Sequence, residues 1–343
     1  MSKLNNLSLE ILKNKLNLQK MNLKAFEENY KDNKILQEIL SKFDDYINYI
    51  DRFLIQYNET NNEQIKAGLL VTIDKMLMSE FMEELYCNIT HILLTEDNNF
   101  QHIVNEIAGE LKDILGIKTK VVTVNDTKFV TNPFFTSTFE GLQISLDSFY
   151  IIGVDTNLGI IGISQLAHEF THCYITEYHD EYKELQNQVL KKFRTQNKDS
   201  IQIEKIEELT CDIVAAHIFE LSYPYSYILS YNPTFDFEAI DHFDDYFRIA
   251  QIMNFLGVNN KHINNFLSNY KNSSRDYKSY STVMSDVTDI YKKFLSKKFI
   301  VSEKLKMQNK ILLDSYEEIF SSKNAVNLQK IIEKYENVLI NMV

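Results

Sequence analysis

Residues 168 to 172 read His168-Glu169-Phe170-Thr171-His172, an H-E-x-x-H pentapeptide in a stretch free of proline. Four residues advance an α-helix by a little over one turn, so imidazoles at that spacing project from one face, where both can reach one ion at roughly 2.0–2.1 Å. Glu169 falls on the neighbouring flank, suited to taking a proton from a water beside the ion, the work of a general base. Two histidines four apart also occur in cores and on wet helix faces. Here Ile160, Ile161, Ile163, Leu166 and Ala167 lead in, and Phe170, Cys173 and Tyr174 continue the apolar surface, as in a helix buried between layers.

A catalytic zinc takes three protein ligands and keeps one position for water. The segment from Glu207 to Ala216 predicts a second buried helix, on which Glu208 and Asp212 are again four apart and share a face. One carboxylate would bind the metal while the other holds the free N–H of a ligating imidazole. Ala215 and Ala216 add almost no bulk, which lets two helices approach closely. His179 is an alternative third ligand, but it lies two turns along the first helix, too far for the ion unless that helix breaks, and reads as a rim residue. His217 follows Asp212 by five and points elsewhere, into core or interface. Cys173 and Cys211 each adjoin a site residue in sequence; neighbours on a helix face different ways, so both read first as small core residues and second as thiol ligands to zinc.

An H-E-x-x-H helix followed by a helix carrying E-x-x-x-D resembles the gluzincin class of zinc peptidases. The resemblance implies Glu208 as the third ligand, with Glu207 as runner-up, Asp212 as the residue that orients His168, and Zn2+ as the cofactor. The segment His242-Phe243-Asp244-Asp245-Tyr246-Phe247-Arg248-Ile249 resembles the H-P-x-x-x-x-R-I element of several bacterial gluzincin families, with Phe243 where proline is usual. That likeness implies that His242 helps stabilise the oxyanion and that Arg248 braces the acidic ligand or the substrate. On the residues alone, His242 is equally a helix-start histidine and Arg248 equally a partner for Asp244 or Asp245 on its own helix. Over about residues 140–250 the motif order is similar to that of the soluble bacterial Lit-type phage-exclusion peptidases. An intracellular endopeptidase acting on a protein or peptide, in phage defence or a stress response, is what this implies.

The formal charge of −12 disfavours nucleic acid as the main partner, since phosphate binding draws on clustered Lys and Arg. The N-terminal residues lack the continuous apolar core of a signal peptide, and nowhere do 18 apolar residues follow one another, so no membrane span is expected. Three cysteines, Cys87, Cys173 and Cys211, make no disulfide framework and suit a reducing, cytoplasmic compartment. Abundant Lys, Asn, Ile and Tyr point to a bacterium, phage or plasmid of low GC content.

Only 3 Pro and 8 Gly punctuate the 343 residues, which favours long helices. Helical spacing runs over 8–31, 33–57, 62–94 and 97–115, and again over 159–178, 180–196, 200–221, 237–256, 259–271, 277–297, 302–321 and 325–342. Strands are expected at 118–124, 142–146 and 149–154. Pro224 and Pro233 bracket a Tyr-rich connection whose tyrosines read first as core and second as donors to a tetrahedral intermediate. The expected fold is a predominantly helical α+β protein with a small, mostly antiparallel sheet beside the H-E-x-x-H helix. Its expected regions are an N-terminal helical region 1–116, a metallopeptidase core 117–258 and a C-terminal helical region 259–343. The rival reading is a helical interaction or toxin-type regulatory protein with a structural or vestigial metal site.

Overall fold

A computed structural model of the chain describes residues 2–29, 31, 34–77, 99–126, 130–134, 149–155, 158–194, 202–231, 242–296, 298–322 and 328–342. The chain divides into two compact units, one made of residues 1–95 with 135–147, the other of 96–134 with 148–343. In the first, helices α1 (Ser2–Asn29), α2 (Lys34–Glu59) and α3 (Glu63–Leu77) each pack on the other two. Leu9, Leu12, Leu16 and Leu23 on α1 and Leu36, Leu40, Phe43, Ile47 and Ile50 on α2 are all buried. Spacings of three, four and seven put each set on one stripe, which is what makes these segments helical.

The second unit takes in helix α4 (Asn99–Leu115), before residue 117, and the helices after residue 259 as well as the span between apart from 135–147. Three strands follow α4: β1 (Lys120–Asp126), β2 (Val130–Phe134) and β3 (Phe149–Asp155), in the spatial order β1-β3-β2. The sheet is mixed, which corrects the mostly antiparallel one expected. β1 runs parallel to β3 from Lys120 opposite Phe149 to Asp126 opposite Asp155, and β2 runs antiparallel to β3 over a shorter register. Residues 127–148 give the chain the length that a parallel return requires. Tyr150, Ile151, Ile152 and Val154 of β3 are all buried, as befits a central strand covered on both faces. β2 is hard to read from the sequence because Pro133 interrupts it; proline within a sheet is confined largely to edge strands, and β2 is one. The strand expected at 142–146 lies outside the described residues.

A 3-10 helix, Gly159–Gln165, leads from β3 into α5 (Leu166–Glu177), the H-E-x-x-H helix. Nearly every residue of α5 is buried, from Leu166 through Ile175, so it runs through the middle of the unit rather than along its surface. It packs against α7 (Ile203–Phe219), reached through α6 (His179–Arg194). On α7, Leu209, Ile213, Ala215 and Ala216 are fully buried, and the small pair permits the close approach.

α7 ends at Glu220, whose φ of 47° and ψ of −129° belong to a turn position that glycine dominates. The reversal throws the chain into α8 (Ser222–Tyr231), a helix where the sequence suggested a connection. Pro224 did not prevent it because it sits in the first turn, where the backbone N–H has no helical partner in any case. α9 (Asp245–Leu256) follows, capped at its start by the Asp244 carboxylate, which accepts from the Phe247 N–H at 2.9 Å, and closed by Gly257 at φ 66°. The remaining helices, α10 (Lys261–Ser268), α11 (Arg275–Tyr280), α12 (Met284–Leu295), α13 (Glu303–Ser321) and α14 (Leu328–Ile340), extend the same apolar core. The described residues are therefore mostly helical, with a small sheet. Among the described residues no helix is long and apolar enough to cross a membrane.

Candidate metal centre

Where α5 crosses α7, two imidazoles and three carboxylates converge. His168 Nδ1 lies 3.1 Å from Asp212 Oδ1, and His172 Nδ1 lies 3.1 Å from Glu207 Oε1. An ionised carboxylate can only accept, so each Nδ1 carries the proton, and in the neutral ring the lone pair is left on Nε2. Both Nε2 atoms face Glu208: His168 Nε2 is 3.3 Å from Oε2 and His172 Nε2 is 3.4 Å from Oε1. These separations exceed the usual N–H···O hydrogen bond. They match the edge of a tetrahedron, roughly 3.3–3.4 Å, drawn about an ion with bonds of 2.0–2.1 Å. The donor set thus fits a metal ion: two oriented imidazoles and one carboxylate.

Glu207 takes a role different from the runner-up ligand of the sequence reading. Its place is behind His172, as Asp212 is behind His168, so each imidazole has its own orienting carboxylate.

Asp212 has no exposed surface and is served by three donors. Arg248 from α9 binds it with both arms of its fork, Nε to Oδ2 at 2.6 Å and Nη2 to Oδ1 at 2.8 Å. Tyr223 from α8 donates its hydroxyl to Oδ1 at 2.6 Å, and His168 supplies the third bond. The same guanidinium stands 3.5 Å from Glu208 Oε2 and 5.1 Å from the centre of the Tyr227 ring. Asp244 and Asp245 are occupied otherwise: Asp244 caps α9 and accepts from Ser274, and Asp245 accepts from the Tyr227 hydroxyl at 2.6 Å. Tyr223 therefore supports the site from behind, through Asp212, and does not stand ready as a donor to substrate.

These contacts fix the charges. Burial opposes a charge on His168, yet Asp212 and Glu208 outweigh it and raise the imidazole pKa to about 9. Burial opposes the charge on His172 too, and Cys211, Glu207 and Glu208 raise its pKa regardless. Burial alone would push Asp212 up, but the charge of Arg248 and the bond from His168 bring it down to about 2. Glu208 is held well below the usual carboxylate range against its own burial, by both imidazoles and Arg248.

Cys211 is a fully buried core residue, as expected, and it also faces this group. His168, His172 and Cys211 each offer a ligand atom, all within 4.8 Å of one another, a buried group that could hold a metal ion. Cys211 is 100° from Asp212 around the helix but only three residues beyond Glu208, so it shares the face of Glu208. The pattern E-x-x-C-D carried that signal. Cys173, by contrast, points its thiol back to the Glu169 carbonyl of its own helix, 3.7 Å away.

No family model, curated protein or solved structure matches this chain.

The other residues singled out from the sequence fall as follows. Glu169 is 9 % exposed, about as buried as His168, and the helix sets it some 60° from His172 and 100° from His168, on the flank of the pair. His242 precedes α9, partly buried, with Nδ1 3.0 Å from the carbonyl oxygen of Phe243. Phe243 is fully buried against Phe193 and Phe247, ring centres 5.2 and 4.7 Å away, so the residue standing where proline is usual serves the core. His179 is exposed at the start of α6, after the backbone departs from helical geometry at Tyr178. His217 reaches the Phe299 carbonyl oxygen at 3.1 Å, away from the centre.

Proposed function

We propose that this protein is a zinc-dependent peptidase of gluzincin type, cleaving a protein or peptide inside the cell. The observation that carries the reading is the convergence of His168 Nε2 and His172 Nε2 on Glu208 at 3.3 and 3.4 Å, each ring backed by its own carboxylate. His168, His172 and Glu208 would hold the ion. Zinc, when bound there, supplies Lewis acidity toward a scissile carbonyl and toward water. Glu169 takes the proton of the attacking water and delivers it to the leaving amine nitrogen. Asp212 and Glu207 hold the rings in the tautomer that presents Nε2, and Arg248 and Tyr223 hold Asp212. His242 is the proposed contributor to oxyanion stabilisation, and phage defence or a stress response the proposed setting.

One observation favours a second reading, a structural metal in a helical interaction protein. Cys211 adds a fourth possible donor, and four protein ligands make a closed site. Wild-type protein and Glu169→Gln, incubated with a bacterial lysate and followed by mass spectrometry of new N-termini, separate the two. The peptidase reading expects new termini with wild type and a loss of about 10²–10⁴ in rate with the variant, at unchanged metal content. Identical termini at identical rates from both proteins would leave the scaffold reading standing.

A further inference from the structure

The active-site reading uses three of the donors that the two helices bring together and leaves the thiol of Cys211 unexplained. Cys211 has no exposed surface and sits one helical turn from Glu208 on the face of α7 turned to α5. Its sulfur and one nitrogen from each of His168 and His172 lie within 4.8 Å of one another. A bound tetrahedron with zinc–nitrogen bonds of 2.0–2.1 Å and a zinc–sulfur bond of 2.3 Å has edges of roughly 3.3–3.6 Å, so binding would draw the trio together by no more than about 1.5 Å. A coordinating ion would remove the thiol proton outright.

We propose that Cys211 is a metal ligand of this centre, its thiolate joining His168, His172 and Glu208 in a closed, four-donor resting form. The proposal rests on the metal reading above and adds to it a regulation of the site: water enters only when the thiolate or the Glu208 carboxylate lets go. It also sets the metal class. A thiolate beside two imidazoles selects borderline-soft ions such as zinc, cobalt(II) or cadmium over magnesium, calcium and manganese.

Cobalt(II) titrated into the metal-free full-length protein tests this without any substrate. The expected result is uptake of about one equivalent, with the intense near-ultraviolet absorption of thiolate-to-cobalt charge transfer and the visible bands of a tetrahedral ion. Cys211→Ser should still take up cobalt but lose the near-ultraviolet band, and Cys173→Ser should keep it. Cobalt bound by wild type with no charge-transfer band, or with a band that survives Cys211→Ser, would overturn the thiolate ligand and leave the metal centre intact. A folded wild-type protein that takes up no cobalt would overturn both. If Cys211→Ser fails to fold, the wild-type and Cys173→Ser spectra decide, a wild-type spectrum without the band again counting against the thiolate.

Discussion

Arg248 lies along Asp212, Nε to Oδ2 at 2.6 Å and Nη2 to Oδ1 at 2.8 Å, so that a carboxylate with no solvent contact is held ionised behind His168. Two charges removed from water in this way gain little net stability as a pair, but removing one strands the other. Arg248→Met should therefore destabilise the fold by about 3–5 kcal/mol, read as a fall in the denaturant midpoint. A loss below about 1 kcal/mol would mean that Asp212 finds another counter-charge or takes up a proton.

The three carboxylates of α7 should separate by role when each is altered in turn. Glu208→Ala removes a ligand and should release the metal. Asp212→Asn and Glu207→Gln keep the ligands but remove the basic partner of one imidazole each, and should weaken metal retention by about 10–100-fold. Competition against a chelator measures all three. If Glu207→Gln released the metal and Glu208→Ala kept it, the two adjacent acids would exchange roles.

Metal uptake should expel protons. In the metal-free protein the His168 pKa stands near 9 because Asp212 and Glu208 favour the imidazolium despite burial, and His172 is raised as well. Only the neutral ring binds a metal, so affinity should climb as pH rises from 6 toward 9. The sign for the metal-free fold is opposite. A histidine pKa raised above its unfolded value of about 6.5 contributes stability that is fully present below that value and lost as pH rises through about 9. Calorimetric titration of metal at pH 7 in buffers of different ionisation enthalpy should reveal proton release. A binding heat independent of buffer would contradict the protonated resting state.

The parts of the site legible in the sequence are those set by helical spacing. His168 with His172 and Glu208 with Asp212 are both i, i+4 pairs, and the structure turns both toward the same crossing of α5 and α7. Arg248 emerged only by resemblance, because its partner lies 36 residues away and no local rule links them. Cys211 is legible as a core residue from its place beside Asp212, whereas its turn toward the imidazoles follows from its place three residues after Glu208. Glu207 was read as a rival ligand because spacing gives the face of a helix, not which oxygen reaches which ring nitrogen. In the fold, a run of β-forming residues marked β1 and β3 as strands but carries no direction, and Pro133 hid β2. Pro224 marked a connection where its position in a first turn allows a helix.

The most direct test of the account is the metal content of the purified protein, measured by elemental analysis on wild type, His168→Ala, His172→Ala and Glu169→Gln. The account predicts about one zinc per chain in wild type and in Glu169→Gln, and little or none once either imidazole is removed. A folded wild-type protein without tightly held metal, or zinc retained in both histidine variants, would contradict it.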